Sequence, residues 1–90
     1  MKRINAKIYG FVQGVGFRHF VRKNANDLGI KGWVRNNLDG TVQAVFEGND
    51  GAVTEIVEKC KKGPAMCWVE KVETNEEELK DEFEDFSIIR

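Results

Sequence analysis

Cysteine, histidine and long apolar runs are scarce in this chain, and each scarcity removes a class of function. Its two cysteines, Cys60 and Cys67, are too few for a disulfide framework, and neither stands in a CxxC or Cys/His spacing suited to a metal. Cys60 continues the apolar stripe Val53, Ile56, Val57 and is expected to be a buried thiol. The single histidine, His19, belongs to no Ser-His-Asp or Cys-His arrangement, so nucleophilic catalysis of those kinds is excluded. No apolar run approaches the roughly 20 residues that span a bilayer. The opening "MKRINAKIYG" has no apolar signal core. A cytoplasmic location, with reduced thiols and no membrane partner, is the expectation. Repeats and low-complexity linkers are absent, and no metal or cofactor is implied.

What remains is ordinary for a globular protein: 90 residues, 41% hydrophobic and 32% charged. That length supports one domain, residues 1–90, with a single modest core of two packed layers. The net charge of −1 hides an asymmetry. Residues 1–35 carry eight lysines and arginines against Asp27 alone, whereas residues 70–85 carry nine acids against Lys71 and Lys80. An anionic ligand is steered toward the first region and repelled by the second.

In "RINAKIYGF" (3–11) the apolar residues Ile4, Ala6 and Ile8 alternate with Arg3, Asn5, Lys7 and Tyr9, the period of a half-buried strand. The period then changes. Phe17, Phe20, Val21, Asn24, Ala25 and Leu28 fall on one face of an amphipathic helix over about 18–28, with Gly29 as a left-handed cap. "IKGWVRN" and "GTVQAVFEG" read as two strands of a hairpin, joined through "NNLDG". A second helix over about 51–62 has Asn49 or Asp50 for its N-cap and "GP" at 63–64 as its stop. Residues 66–74 form a fourth strand, "NEEELKDE" (75–82) a solvated loop, and "FSIIR" a short terminal strand. Phe11, Phe17, Phe20, Trp33, Phe46 and Trp68 are expected in the core or packed on the sheet.

The order β-α-β-β-α-β with a strand-like tail is the ferredoxin-like α+β arrangement, a two-layer sandwich. In that topology the first two strands run parallel with the third between them. Their C-terminal ends therefore share one edge of the sheet, two strand spacings or roughly 10 Å apart. Residues 12–18 and the "VRNN" end of the second strand are brought side by side.

The stretch "VQGVGFR" at that edge can hold an anion. Gly14 and Gly16 allow successive backbone N–H groups to point into one concavity, and the first turn of the following helix adds its own free donors. Arg18 opposes the helix dipole unless an anion lies between it and the loop. The stretch is not a dinucleotide fingerprint, because His19 stands where the third glycine would be, and GxxxxGK[ST] is absent. If Arg18 faces the loop, His19, one step around the helix, faces elsewhere. Asn36 is either a turn former or, given its edge, an amide that accepts from a water and donates to the anion. With no base, acid pair or metal cluster present, positioning and electrostatics must suffice, and phosphoryl transfer is such a reaction.

"YGFVQGVGFR" (9–18) and "GWVRNNLDGTVQAVFEG" (32–48) resemble the acylphosphatase family, whose signatures are a G-x-V-Q-G-V-x-F-R loop and a G-W-V-x-N-x-x-D-G-x-V segment. The resemblance spans essentially the whole chain. It implies hydrolysis of the carboxyl-phosphate bond of an acyl phosphate, giving a carboxylate and inorganic phosphate, with neither metal nor covalent intermediate. By position, the family's catalytic residues fall on Arg18 and Asn36, and its phosphate-cradling amides on Gln13, Gly14, Val15, Gly16 and Phe17. Asn37 stands where many relatives have threonine. The implied partners are a small acyl phosphate and phosphate as product or inhibitor, and the chain is expected to act as a monomer.

Three other functions share this topology. A non-catalytic anion-binding or docking module would bind phosphate without turnover. An RNA-recognition domain would carry its basic-aromatic motif on the third strand, where "TVQAVFEG" has one aromatic and no basic residue. A metal chaperone would need Cys-x-x-Cys after the first strand, and that loop has no cysteine.

Overall fold

The computed structural model describes residues 1–90. Its elements are β1 (Lys2–Phe11), α1 (Phe17–Asp27), β2 (Lys31–Asn36), β3 (Val42–Gly48), α2 (Asp50–Lys62), β4 (Trp68–Glu77) and β5 (Phe86–Ile88). The five strands form one sheet of order β4-β1-β3-β2-β5. β3 is antiparallel to both of its neighbours, and the short β5 runs parallel to β2, pairing Gly32 with Phe86 and Val34 with Ile88. This is the ferredoxin-like arrangement with an added edge strand.

The period-2 and period-3.6 patterns meet in one core. Ile4, Ala6 and Ile8 of β1, Val34 of β2 and Val42, Ala44 and Phe46 of β3 are buried against Phe17, Val21 and Ala25 of α1 and Val53, Ile56 and Cys60 of α2. Asn24 interrupts the apolar stripe of α1 without cost, because its Nδ2 donates back to Phe20 O at 2.8 Å and its polarity is satisfied locally. Both cysteines are free thiols. Burial pushes Cys60 up to about 12 and raises the half-buried Cys67 as well.

Both helices cover the same face, so the other face of the sheet lies open. Phe11 and Trp68, expected to pack, sit as Cα partners on β1 and β4 and are 59% and 71% exposed. Trp33 is half-buried on the open face beneath the Arg35 guanidinium, 5.0 Å from its ring centroid. The remaining aromatics match the expectation: Phe17 and Phe46 are buried, and Phe20 packs against the core.

The acidic segment differs most from the expectation of a solvated loop. β4 begins at Trp68 and continues to Glu77, so Asn75, Glu76 and Glu77 pair with Asn5, Ile4 and Arg3 of β1. Arg3, only 6% exposed, is the reason. Its guanidinium lies 2.9 Å from Glu77 Oε1, 2.8 Å from Glu82 Oε1 and 3.8 Å from the buried Glu47, and covers the Phe83 ring at 4.9 Å. One cation thus gathers three carboxylates and holds the β4–β5 connection against the sheet. The Arg3 and Asn5 side chains, by hydrogen bonding, keep the Glu77 carboxyl below its ordinary 4.5.

Replacing Arg3 with Met leaves the buried Glu47 without its ion-pair partner. The expected loss in urea unfolding at neutral pH is about 2–3 kcal/mol, below the range for a fully buried pair because Glu77 and Glu82 are half-exposed. Because the folded pKa of Glu77 is depressed, its share is present above pH 4.5 and is lost as pH falls through the lowered value. The gap between wild type and variant should therefore narrow in acid.

Candidate active site

Val42, near the start of β3, is the Cα partner of Ile8 on one side and of Asn36 on the other. The outgoing ends of β1 and β2 therefore flank it at one edge of the sheet. From β1 the chain turns through residues 12–16 into α1, whose N-cap, Gly16, is left-handed (φ 82°) and lacks a side-chain cap bond. Gly14 is also left-handed (φ 76°), and a Cβ on either glycine would meet nothing within 4 Å. Glycine is therefore required here by backbone conformation and not by crowding.

The loop's donors are unengaged. The first hydrogen bond of the helix runs from Phe20 N–H to Gly16 O at 3.1 Å, and no backbone N–H from Gln13 to His19 makes a hydrogen bond of normal geometry to the chain. No acidic side chain stands in the first turn of α1 to neutralise its positive end. Arg18 is half-buried. It takes part in none of the chain's ion pairs, which use Arg3, Lys7, Lys23, Lys59, Lys61, Lys71 and the N-terminus. Gly14, Gly16, Phe17 and Arg18 share a concavity of about 350 Å³ with Val12, His19 and Ile88.

Two of these lining residues depart from what the sequence suggests. His19, expected to face away, is exposed and accepts from Arg22 at 3.1 Å, yet it reaches the rim of the same concavity. The helix starts at Phe17, one residue earlier than expected. Ile88 arrives from β5. "FSIIR" signals a strand, but nothing in it indicates parallel pairing with β2.

Asn36 lines a separate, shallower groove with Lys7, Arg35, Asn37, Leu38, Asp39 and Arg90. Its Oδ1 is buried and has no hydrogen-bond partner in the chain. The turn that follows is tightly held. Asn37 N–H donates to Thr41 O at 2.8 Å, and Asn37 Nδ2 donates to Thr41 Oγ1 at 2.9 Å and Gln43 Oε1 at 3.0 Å. Arg35 Nε donates to Asn37 Oδ1 at 3.3 Å. The extra amide of Asn37 thus stiffens the segment next to Asn36. Asp39 accepts from both Thr41 N–H and Thr41 Oγ1 and pairs with Lys7 at 3.2 Å. These contacts, the Thr41 hydroxyl first, lower its carboxyl to about 2. The loop is tied to this turn by Gln13, whose Nε2 donates to Asn37 O and Thr41 O at 2.8 Å each.

A sheet with both helices on one face and a loop of free donors where β1 gives way to α1 defines a small α+β enzyme domain of ferredoxin-like fold. The acylphosphatase family model matches residues 4–88. An acylphosphatase of Rubrobacter xylanophilus is 53% identical over 76 residues, covering 84% of this chain and 69% of that one. The crystal structure of acylphosphatase from Bacillus subtilis superposes with a TM-score of 0.96 at 34% identity, and 100% of both chains is covered. Full-length HypF, in its phosphate- and nucleotide-bound form, matches 99% of this chain with 12% of its own, at 30% identity and a TM-score of 0.90. The chain belongs to the acylphosphatase family, and it is an enzyme of acyl phosphate hydrolysis.

Two outcomes follow from this geometry. Gly16→Ala forces a left-handed backbone on a side chain and should lower stability in urea unfolding by about 1–2 kcal/mol. For Asp39, a carboxyl-carbon NMR titration should give a midpoint near 2 instead of its ordinary 3.8. Since that folded pKa is depressed, the turn's contribution is intact above pH 3.8 and is lost as pH falls toward 2.

Proposed function

We propose that the chain hydrolyses acyl phosphates by direct attack of water on a phosphoryl group held at the 13–18 loop, without a metal and without a covalent intermediate. The observation that carries this reading is the run of unengaged N–H groups from Gln13 to His19 beside an Arg18 that has no ion pair. Backbone amides of Gln13, Gly14, Val15, Gly16 and Phe17 and the fork of Arg18 bind the phosphoryl oxygens. They spread the charge of a loose transition state. Donors preorganised in this way need no reorientation as charge develops.

Asn36 supplies the nucleophile's position. Its side-chain amide hydrogen-bonds the attacking water and aims the oxygen at phosphorus, in line with the departing carboxylate. The new P–O bond forms from that water as the acyl C–O–P bridge breaks at phosphorus. The bridging oxygen leaves with the carboxylate, and the water's proton passes to a phosphoryl oxygen. A carboxylate is a good leaving group, so no general acid is needed. The acyl portion gives the loop little to recognise, and broad acyl specificity follows.

The test is hydrolysis of benzoyl phosphate in the presence of a chelator. Wild type should turn over. Arg18→Ala should lose on the order of 10³-fold in kcat/KM or more. Asn36→Ala should lose on the order of 10²-fold in kcat while its inhibition by phosphate is nearly unchanged. A folded wild type that binds phosphate without turnover, or that stops when the metal is chelated, would sink the mechanism.

A further inference from the structure

We infer that the Gln13 side chain is a positioning residue for the reaction: it fixes the separation between the phosphate-binding loop and Asn36. The inference rests on the proposed roles of that loop and of Asn36. Gln13 carries a backbone amide assigned to the phosphate, but its side chain does something different. Nε2 spends both of its protons on the carbonyls of Asn37 and Thr41, each at 2.8 Å. These two carbonyls bracket the β2–β3 turn, and the first belongs to the residue bonded to Asn36. No other hydrogen bond joins residues 12–16 to that turn.

Neither carbonyl depends on Gln13 for its own satisfaction. Thr41 O already accepts Asn37 N–H at 2.8 Å, and Asn37 O accepts Gly40 N–H at 3.3 Å. The amide therefore rescues no orphan acceptor, and its consequence is distance and orientation. Asn36 needs such support, because its Oδ1 has no partner to hold the side chain in place. Its aim is set by its backbone, and that backbone continues into the turn that Asn37 locks through Thr41, Gln43 and Arg35. Loop and turn are thus two bodies, the second tightly held, tied by one side-chain amide, and a misplacement of about 1 Å between attacking water and phosphorus costs up to 10²-fold.

The test uses the intact chain with benzoyl phosphate as substrate and inorganic phosphate as competing ligand. Gln13→Met keeps the length and the backbone N–H but has no donor. Its kcat should fall on the order of 10-fold, with the phosphate inhibition constant held within about twofold, since each body keeps its own geometry. Gln13→Asn, one methylene short of both carbonyls, should behave alike and serves if the Met variant does not fold. In an Asn36→Ala background, Gln13→Met should cost no more than about twofold, because no positioned water remains to misplace. Wild-type kcat in both Gln13 variants would overturn the inference. So would phosphate affinity falling in step with kcat, or losses that multiply in the double variant. A wild type without turnover would instead defeat the hydrolysis reading on which the inference rests.

Discussion

The placement of every group at the site depends on one pairing, that of β3 between β1 and β2. Antiparallel hydrogen bonding on both of its sides makes Val42 the neighbour of Ile8 and of Asn36 at once. Two segments separated by a helix and a turn are thereby fixed about two strand spacings apart. The α1 crossover then has only one way to pack back onto the sheet, and its N-terminus comes to the same edge. A slip of one residue in that register would turn Asn36 to the open face and expose the apolar set of β3. The hydrophobic core and the site are consequently held by the same ladder.

Charge is distributed to protect that edge. The chain carries nearly equal numbers of cations and acids, and two cations of β1 are spoken for. Arg3 is taken up by Glu77, Glu82 and Glu47, and Lys7 by Asp39. Arg18 alone among the residues of the loop is a cation, and it is left without an anion of the chain's own. The acidic segment that would otherwise compete for it is retained at the far end of β1 by Arg3, where Glu77 pairs with the first residues of that strand. Pairing elsewhere keeps the field at the loop positive.

Polar contacts at the edge are divided unevenly between its two halves. The loop offers donors that the chain does not use, whereas the turn after β2 is nearly saturated, with Asn37 engaged through its backbone and both side-chain atoms. A stiff turn beside a receptive loop suits a reaction whose barrier is lowered by alignment instead of by proton transfer.

Much of this architecture is legible in the order of the residues. Alternation in "RINAKIYGF", the helical stripe from Phe17 to Leu28 and the "NNLDG" turn are local signals, set by side-chain period and backbone preference, and they determine the element order and fold class. Gln13 to Arg18 stand out because glycine and arginine at a helix start are locally unfavourable without a ligand, whereas Asn36 is a candidate only through the sheet edge to which its strand carries it. What no local signal carries is decided by neighbours distant in sequence. β4 runs on through Asn75–Glu77 because β1 offers an edge and Arg3 a charge; Phe11 and Trp68 are exposed because both helices cover one face; Ile88 enters the concavity because β5 pairs with β2. The double clasp of Gln13 on Asn37 and Thr41 belongs to the same kind. Period and propensity act within about a turn of chain, but a side-chain amide finds its carbonyls only after the sheet has brought them within 3 Å, and that distance is a property of the tertiary fold.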